Sequence, residues 1–240
     1  MFKIDKLTYE QKKLRRKILT ASFNAGHTHL GSCLSSVDLI EAIYKVKKKS
    51  EPFILSNGHA GVALYAVLAK RGFISESEIE TLNIHPDRDL TKGIYVSTGS
   101  LGQGLPIALG MAIADRKKNV YCMISDGEAT EGSIWEALRV ASDYNVANLK
   151  VIVNANGWGA YDKINAAKFV PRIKSFGWNV AIVDGHNLKK IDSALRKRSK
   201  KPLAIFARTQ VSQLPFLKGQ DAHYYKMNES DYKIAMEVLR

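Results

Sequence analysis

The sequence predicts an α/β protein: a doubly wound, mainly parallel sheet with helices on both faces. Three observations lead there. First, the apolar run VYCMI at 120–124 stops abruptly at Ser125-Asp126-Gly127. A helical pattern follows, with Trp135, Leu138, Ala141 and Val146 spaced for one buried face, and a second apolar run at 149–153 stops at Asn154-Ala155-Asn156-Gly157. Strand, crossover helix and strand in that length make a parallel βαβ unit, whose right-handed crossover sets the two strands side by side or nearly so. Second, the alternation resumes downstream, with apolar runs at 179–183 and 203–207 separated by helical patterns. Third, 240 residues at 45% hydrophobic content bury one good-sized core, and no repeat or low-complexity linker divides the chain, so residues 1–240 read as a single domain.

The elements follow in order. Residues 6–23 form a basic amphipathic helix. A second helix begins near Ser36, its N-cap, with Asp38 in the first turn, and runs to 46. Residues 53–55 are a short strand entering the Ser56-Asn57-Gly58 turn, and 60–71 are a helix. Ser75 or Ser77 caps another short helix. Residues 84–98 make a long connection without periodicity. Thr98-Gly99-Ser100-Leu101-Gly102-Gln103-Gly104 opens a helix that reaches 115. After the βαβ unit comes an irregular loop to about 163, then helix 164–176, strand 179–183, helix 188–199 and strand 203–207. The tail is a loop followed by a helix of roughly ten residues from Glu229.

Composition narrows the function. The net charge is +13, with basic clusters at 12–17, 45–49 and 196–201. Such charge gives phosphate affinity. The clusters lie on or beside predicted helix surfaces with no nucleic-acid-binding motif, so solvated helix faces are the better reading, and nucleic acid is not expected as a partner. Acidic substrates and an acidic partner chain are the functional alternatives. No run of about 18 apolar residues, the length that could cross a membrane, is present, so a spanning helix is not expected. The N-terminal segment is charged and helical, unlike a signal peptide. Cys33 and Cys122 are too few for a disulfide scaffold, and Cys122 sits in a predicted buried strand, so a reduced, cytoplasmic protein is expected.

Asp126 and Asn156, thirty positions apart, both fall at the carboxyl edge of the sheet, where open α/β sheets bind ligands. A carboxylate and an amide oxygen are hard ligands suited to Mg²⁺, which completes its octahedron with phosphate and water. Gly127 lets a diphosphate approach the backbone, and the amides opening the next helix favour an anion. Asp-Gly alone also occurs in ordinary βα turns. The pattern gains specificity from Glu131-Gly132, Glu136-Ala137 and the distant Asn. Of six histidines, His27, His29, His59 and His85 fall in predicted loops before Asn156.

Residues 125–156 resemble the thiamine-diphosphate motif of transketolases. Three further blocks match that family in the same order: 24–44 (NAGHTHLGSCLSSVDLIEAIY), 54–73 (ILSNGHAGVALYAVLAKRGF) and 85–111, which includes STGSLGQGLPIALGM. The matches cover about residues 10–185. The resemblance implies a diphosphate-binding (PP-type) domain that takes thiamine diphosphate with Mg²⁺, or Ca²⁺ or Mn²⁺. It implies Asp126, Asn156 and the Trp158 carbonyl as metal ligands. His59, Gly99, Leu101, Asp126, Gly127, Asn156 and Trp158 would bind the cofactor, with Gly99 and Leu101 against its rings. His29, His59 and His85 would line the approach to the reacting carbon, hydrogen-bond sugar hydroxyls and help move protons. His27 reads as a neighbour. Glu131 would join a carboxylate network between the two active sites of a dimer, although a Glu in a first helical turn also complements the helix dipole.

The chain departs from the family pattern at three places. Ser125 replaces the first Gly of GDG. Asn154 stands where Asp is common. Near the C-terminus, Thr209-Gln210-Val211-Ser212-Gln213 replaces a Lys-Gly-Lys-Gly turn, and the following His is either His223 or replaced by Tyr224. The second α/β domain of transketolases, which binds the pyrimidine and supplies its activating Glu, has no counterpart in these residues. The resemblance therefore implies a subunit of a split transketolase, active only with a C-terminal, pyrimidine-binding partner chain in an α2β2 complex. Its reaction would move a two-carbon ketol unit from a ketose to an aldehyde acceptor, on sugar or sugar-phosphate substrates. Two alternatives stay open: a specialised acyloin-type transfer in unusual-sugar biosynthesis, and a non-catalytic cofactor-binding or scaffold subunit.

Overall fold

The computed structural model describes residues 3–240; Met1 and Phe2, the first two residues of the charged N-terminal segment, lie outside them. Five parallel strands form one sheet: β1 (Phe53–Leu55), β2 (Val120–Ser125), β3 (Leu149–Ala155), β4 (Asn179–Asp184) and β5 (Leu203–Arg208), in the order β1-β2-β3-β5-β4. The βαβ unit read from the sequence is present. Strands β2 and β3 pair from Val120↔Leu149 to Ser125↔Asn154, and α6 (Gly132–Asp143) makes the crossover. Every residue of β2 and β5 except Arg208 is buried, as befits strands covered on both faces.

Two apolar layers cover the sheet. One holds α1 (Tyr9–Ala25), α2 (Leu30–Val46), α3 (Gly61–Lys70), the short α4 (Glu78–Thr81) and α8 (Leu188–Leu195), packed on Tyr121, Met123, Ile152 and Ile205. The other holds α5 (Gly104–Ala114), α6 and α7 (Phe169–Ser175), packed on Cys122, Ile124, Val151, Val153 and Phe206. The alternation of those strand residues between the layers is the period-two geometry of a strand. The chain closes with α9 (Asp221–Tyr224) and α10 (Glu229–Val238).

Several boundaries differ from the sequence reading. Helix α1 starts at Tyr9, where Thr8 and Gln11 form a reciprocal capping box. Helix α2 starts at Leu30, a turn and a half before Ser36. Ser36 is therefore not its N-cap; its hydroxyl instead accepts from the Asn154 amide at 2.9 Å. Asp38 sits deep in that helix, and both carboxylate oxygens bond the Arg15 guanidinium, at 3.0 and 2.6 Å. Helix α7 begins only at Phe169, because Ile164 is held in the preceding loop by its N–H to the Gly157 carbonyl and because Pro171 fits only a first turn. Helix α8 ends at Leu195, the last buried position before a run of cations. Four-residue α9 was not foreseen. Helix α5 is apolar on nearly every side and leaves Ile107 41% and Ile113 38% exposed. No helix among the described residues is long and apolar enough to cross a membrane.

Candidate functional site

Four turns meet at the carboxyl ends of β1, β2 and β3. The first, 56–59, leaves β1 and carries His59. The second, 98–104, opens α5. In it Gly99 and Gly102 have φ of +149° and +86°, a backbone that disfavours side chains, and a Cβ on Gly99 would lie 3.1 Å from the His85 ring. The third, 125–128, leaves β2, and the fourth, 156–160, leaves β3. Together they enclose a cavity of about 160 Å³ lined by His29, His59, His85, Gly99, Leu101, Ser125, Gly127, Glu128, Trp158, Gly159 and Ala160, with His223 and Tyr224 from α9. A larger cleft, about 810 Å³, opens beside β4 and is rimmed by Lys3, Lys6, Lys189, Lys190 and Arg208; none of the predicted site residues lines it.

The histidines form one cluster. The His29 ring centroid lies 5.4 Å from His59 and 6.2 Å from His85, and His59 lies 6.2 Å from His223. His29 caps α2 in the left-handed region, with φ 61°, and its N–H donates to the His223 carbonyl at 2.7 Å. A bulky residue held there is an uncommon conformation, maintained here by α9. Burial pushes His29 down to about 4 and His59 to about 3, with the neighbouring imidazoles adding to both shifts. Burial also lowers His223. These rings therefore meet a ligand as neutral donors and acceptors near pH 7. Nδ1 of His29, Nδ1 of His223, Oγ1 of Thr98 and both polar atoms of the Asn57 side chain are buried without a partner. Such orphaned groups are rare in native proteins, and those of His29 and His223 belong to residues that line this cavity.

Asp126 is fully buried. Its carboxylate accepts from the Gly127 N–H at 3.1 Å and the Gly157 N–H at 2.6 Å, and burial raises it to about 7 against those amides. The Asn156 side-chain oxygen accepts from the Trp158 N–H at 3.0 Å. Gly127 packs so closely on the following loop that a Cβ there would lie 2.9 Å from the Gly159 Cα and 3.4 Å from the Trp158 carbonyl oxygen. Among the described residues no group of three or more His, Cys, Asp or Glu stands ready to hold a metal. A divalent ion would rest on one carboxylate, one amide oxygen and one backbone carbonyl. That sparse, hard donor set fits an ion whose other ligands are phosphate and water, and a cation would stabilise the ionised form of a carboxylate that burial otherwise disfavours.

The structure thus brings together His29, His59, His85, Gly99, Leu101, Gly127 and Trp158 on one cavity wall, with Asp126 and Asn156 behind it. Glu131 is not among them: it is exposed, at the N-terminus of α6. Glu128, three residues earlier, lines the cavity and is fully buried. Sequence reasoning missed it because a Glu beside a helix start looks ordinary; its partners, Ser56 and Gly102, are 72 and 26 positions away. The substitution of Ser125 for Gly acquires a role, since its hydroxyl accepts from the Glu128 N–H at 3.0 Å. Asn154 is fully buried, donating to Ser35 and Ser36 and accepting from Thr209 at 2.5 Å. Both C-terminal candidates reach the cavity. His223 is buried in it, while Tyr224 stands 5.9 Å from His29 and donates its hydroxyl to the Ala160 carbonyl at 2.9 Å.

The family described as "Transketolase, thiamine diphosphate binding domain" matches residues 12–235. Transketolase of Homo sapiens is 36% identical over 232 residues, which cover 86% of this chain and 37% of that protein. The chain therefore spans little more than a third of the length of the transketolases it matches. The 6-deoxy-6-sulfo-D-fructose transketolase subunit of Clostridium sp. (strain MSTE9) is 33% identical over 263 residues, covering 97% of this chain and 96% of that one. Among solved structures, transketolase from Campylobacter jejuni subsp. jejuni NCTC 11168 superposes with a TM-score of 0.86 at 25% identity, over 96% of this chain and 42% of that chain.

Proposed function

The chain belongs to the transketolase family through its thiamine-diphosphate-binding domain, and from that premise we propose that it is the cofactor-binding subunit of a two-component transketolase. The reaction is transfer of a two-carbon ketol unit from a ketose to an aldehyde acceptor. The observation that carries this reading is the meeting of three loop histidines with the Gly99–Leu101 turn, Gly127 and Trp158 around one cavity, Gly127 and Trp158 belonging to the same turns as Asp126 and Asn156. Its support is a relative that is itself a transketolase subunit and matches this chain nearly end to end.

In this reading the residues divide the labour. Asp126, the Asn156 oxygen and the Trp158 carbonyl would hold Mg²⁺, or Ca²⁺ or Mn²⁺, at the diphosphate side of the site. Gly127 admits the phosphates to the backbone. Gly99 and Leu101 would pack against the cofactor's rings. When bound, thiamine diphosphate supplies the carbanion chemistry. His29 and His59, kept neutral by burial, and His85 orient donor hydroxyls and relay protons, and His223 and Tyr224 close the same wall. Glu131, exposed at the start of α6, would join a carboxylate network between the two active sites of a dimer. The cavity lining contains no Lys or Arg among the described residues. An anionic group on the sugar, such as a phosphate or the sulfonate in the relative's name, is therefore met by the partner. That partner is a C-terminal chain with the pyrimidine-binding domain, joined in an α2β2 complex. The unpaired, buried Cys33 and Cys122 suit a reducing, cytoplasmic setting. A scaffold role without turnover is disfavoured, because all three histidines stand at the cavity.

The test is calorimetry on the complex with its partner. Asp126→Ala is expected to weaken metal-dependent binding of thiamine diphosphate by more than the roughly 10–100-fold that outer-shell changes cost. Unchanged affinity would remove the metal assignment, and robust ketol transfer by the 240-residue chain alone would remove the division of labour.

A further inference from the structure

Glu128 is fully buried, lines the cavity, and joins three of the four turns that build it. Its Oε1 accepts from the Ser56 hydroxyl at 2.5 Å and from the Gly102 N–H at 2.8 Å. Its own N–H donates to Ser125, and its carbonyl accepts the Glu131 N–H at 3.0 Å. Ser56 begins the turn that presents His59. Gly102 lies in the turn that presents Gly99 and Leu101; close packing of Thr98 and Gly99 on Gly58 and of Gly104 on Ser56 seats the two ends of that turn. With two positive-φ glycines its backbone has the widest conformational choice. Besides Glu128, the contact holding Gly102 is the Ser133 hydroxyl donating to its carbonyl at 2.8 Å. The second carboxylate oxygen of Glu128 is buried without a partner among the described residues. A purely structural tie would place no half-satisfied carboxylate at a cavity wall, since burying it costs stability.

We propose that Glu128 is the positioning residue of this site: through one oxygen it locks the Gly99–Gly102 turn to the His59 and Asp126 turns, presetting the spacing between the Leu101 shelf and the histidines. The assignment to a cofactor shelf rests on the function proposed above; the locking of the turn does not. Preorganisation of this kind removes an ordering cost that a ligand would otherwise bear on binding.

The geometry makes length, rather than charge, the decisive property. A glutamine at 128 retains an oxygen that accepts from both donors. An aspartate keeps the charge but is one methylene short of reaching both turns. The experiment is amide hydrogen exchange on the full chain, with a parallel thiamine-diphosphate titration of the complex in Mg²⁺. In Glu128→Gln, Gly102 exchange and cofactor affinity are expected to stay within about threefold of wild type. In Glu128→Asp and Glu128→Ala, the Gly102 N–H is expected to exchange at least tenfold faster while amides of β4 and β5 keep their rates, and cofactor binding is expected to weaken by a similar factor. Ser56→Ala, which removes one donor and leaves Gly102 bonded, serves if Glu128→Ala does not fold, and is expected to fall between. Two results would overturn the proposal: unchanged Gly102 exchange in Glu128→Asp, or a loss in Glu128→Gln with Glu128→Asp intact, which would make charge the property that counts. If Gly102 responds as expected but wild type binds no thiamine diphosphate, the lock stands and the proposed function falls.

Discussion

Arg15 and Asp38 are both fully buried, and between them they hold the C-terminal loop in place. Arg15 bonds Gln213 at 2.8 Å, and His186 joins Asp38 at 2.8 Å while its other ring nitrogen accepts from the Gln210 N–H. Burial alone would push the Asp38 carboxyl up; Arg15 and His186 outweigh it and hold the group at about 2. Its contribution is present above its ordinary 3.8 and lost as pH falls toward 2. The histidines behave oppositely in chemistry but alike in sign. His29, depressed from 6.5 to about 4, stays neutral in the folded chain while the unfolded chain takes up protons. Stability therefore declines from about pH 6.5 downward. Chemical denaturation across pH should show both windows. Asp38→Asn is expected to abolish the lower one and to cost about 3–5 kcal/mol near neutrality by stranding a buried guanidinium. Proton NMR of His29 and His59 should show no titration above pH 5; a midpoint near 6.5 for either ring would contradict their burial.

At the scale of elements, helix α2 is a rod between two jobs: its first residue seats against α9 and its middle buries Asp38. Its start was illegible in the sequence. Gly31-Ser32 resembles a loop, and the long-range bond from His29 to His223, with His29 in the left-handed region, and the packing of Gly31 on Ala222 and Val211 fix the first turn. The β2–α6–β3 unit was legible because each apolar run ends in turn residues at the sheet edge, and so was the placing of Asp126 and Asn156 at that edge. The histidine blocks were legible through their order along the chain. Glu128 and α9 were not, because their partners are distant in sequence and nothing local distinguishes them. The seating of α9 makes a prediction at this scale. A Cβ on Gly31 would lie 2.7 Å from that of Ala222 and 3.1 Å from that of Val211. Gly31→Val should displace α9, cost about 1–3 kcal/mol by overpacking in urea denaturation, and abolish the nuclear Overhauser contact between the His29 and Tyr224 rings. Retention of that contact would show that α9 docks independently of α2.

The whole molecule carries +13 net charge. The expected assembly is two copies with two partner chains. Light scattering of the co-purified proteins should report that tetramer; a one-to-one pair with full activity would refute it. If the charge assists capture of an acidic partner, the association rate should fall at least about tenfold between low salt and several hundred millimolar, as screening shortens the reach of the field. A salt-independent rate would assign the basic clusters to solvation alone.

Helix α5, with Ile107 and Ile113 turned outward and nothing within 4 Å of a Cβ on Gly110, has a consequence for the life of the chain in a cell. A copy that has not found its counterpart displays an apolar ridge of the sort that chaperones retain and proteases clear. If the proposed partner chain shields that ridge, the two genes would need matched dosage, and overproducing this one alone is expected to yield inclusion bodies in place of surplus subunit.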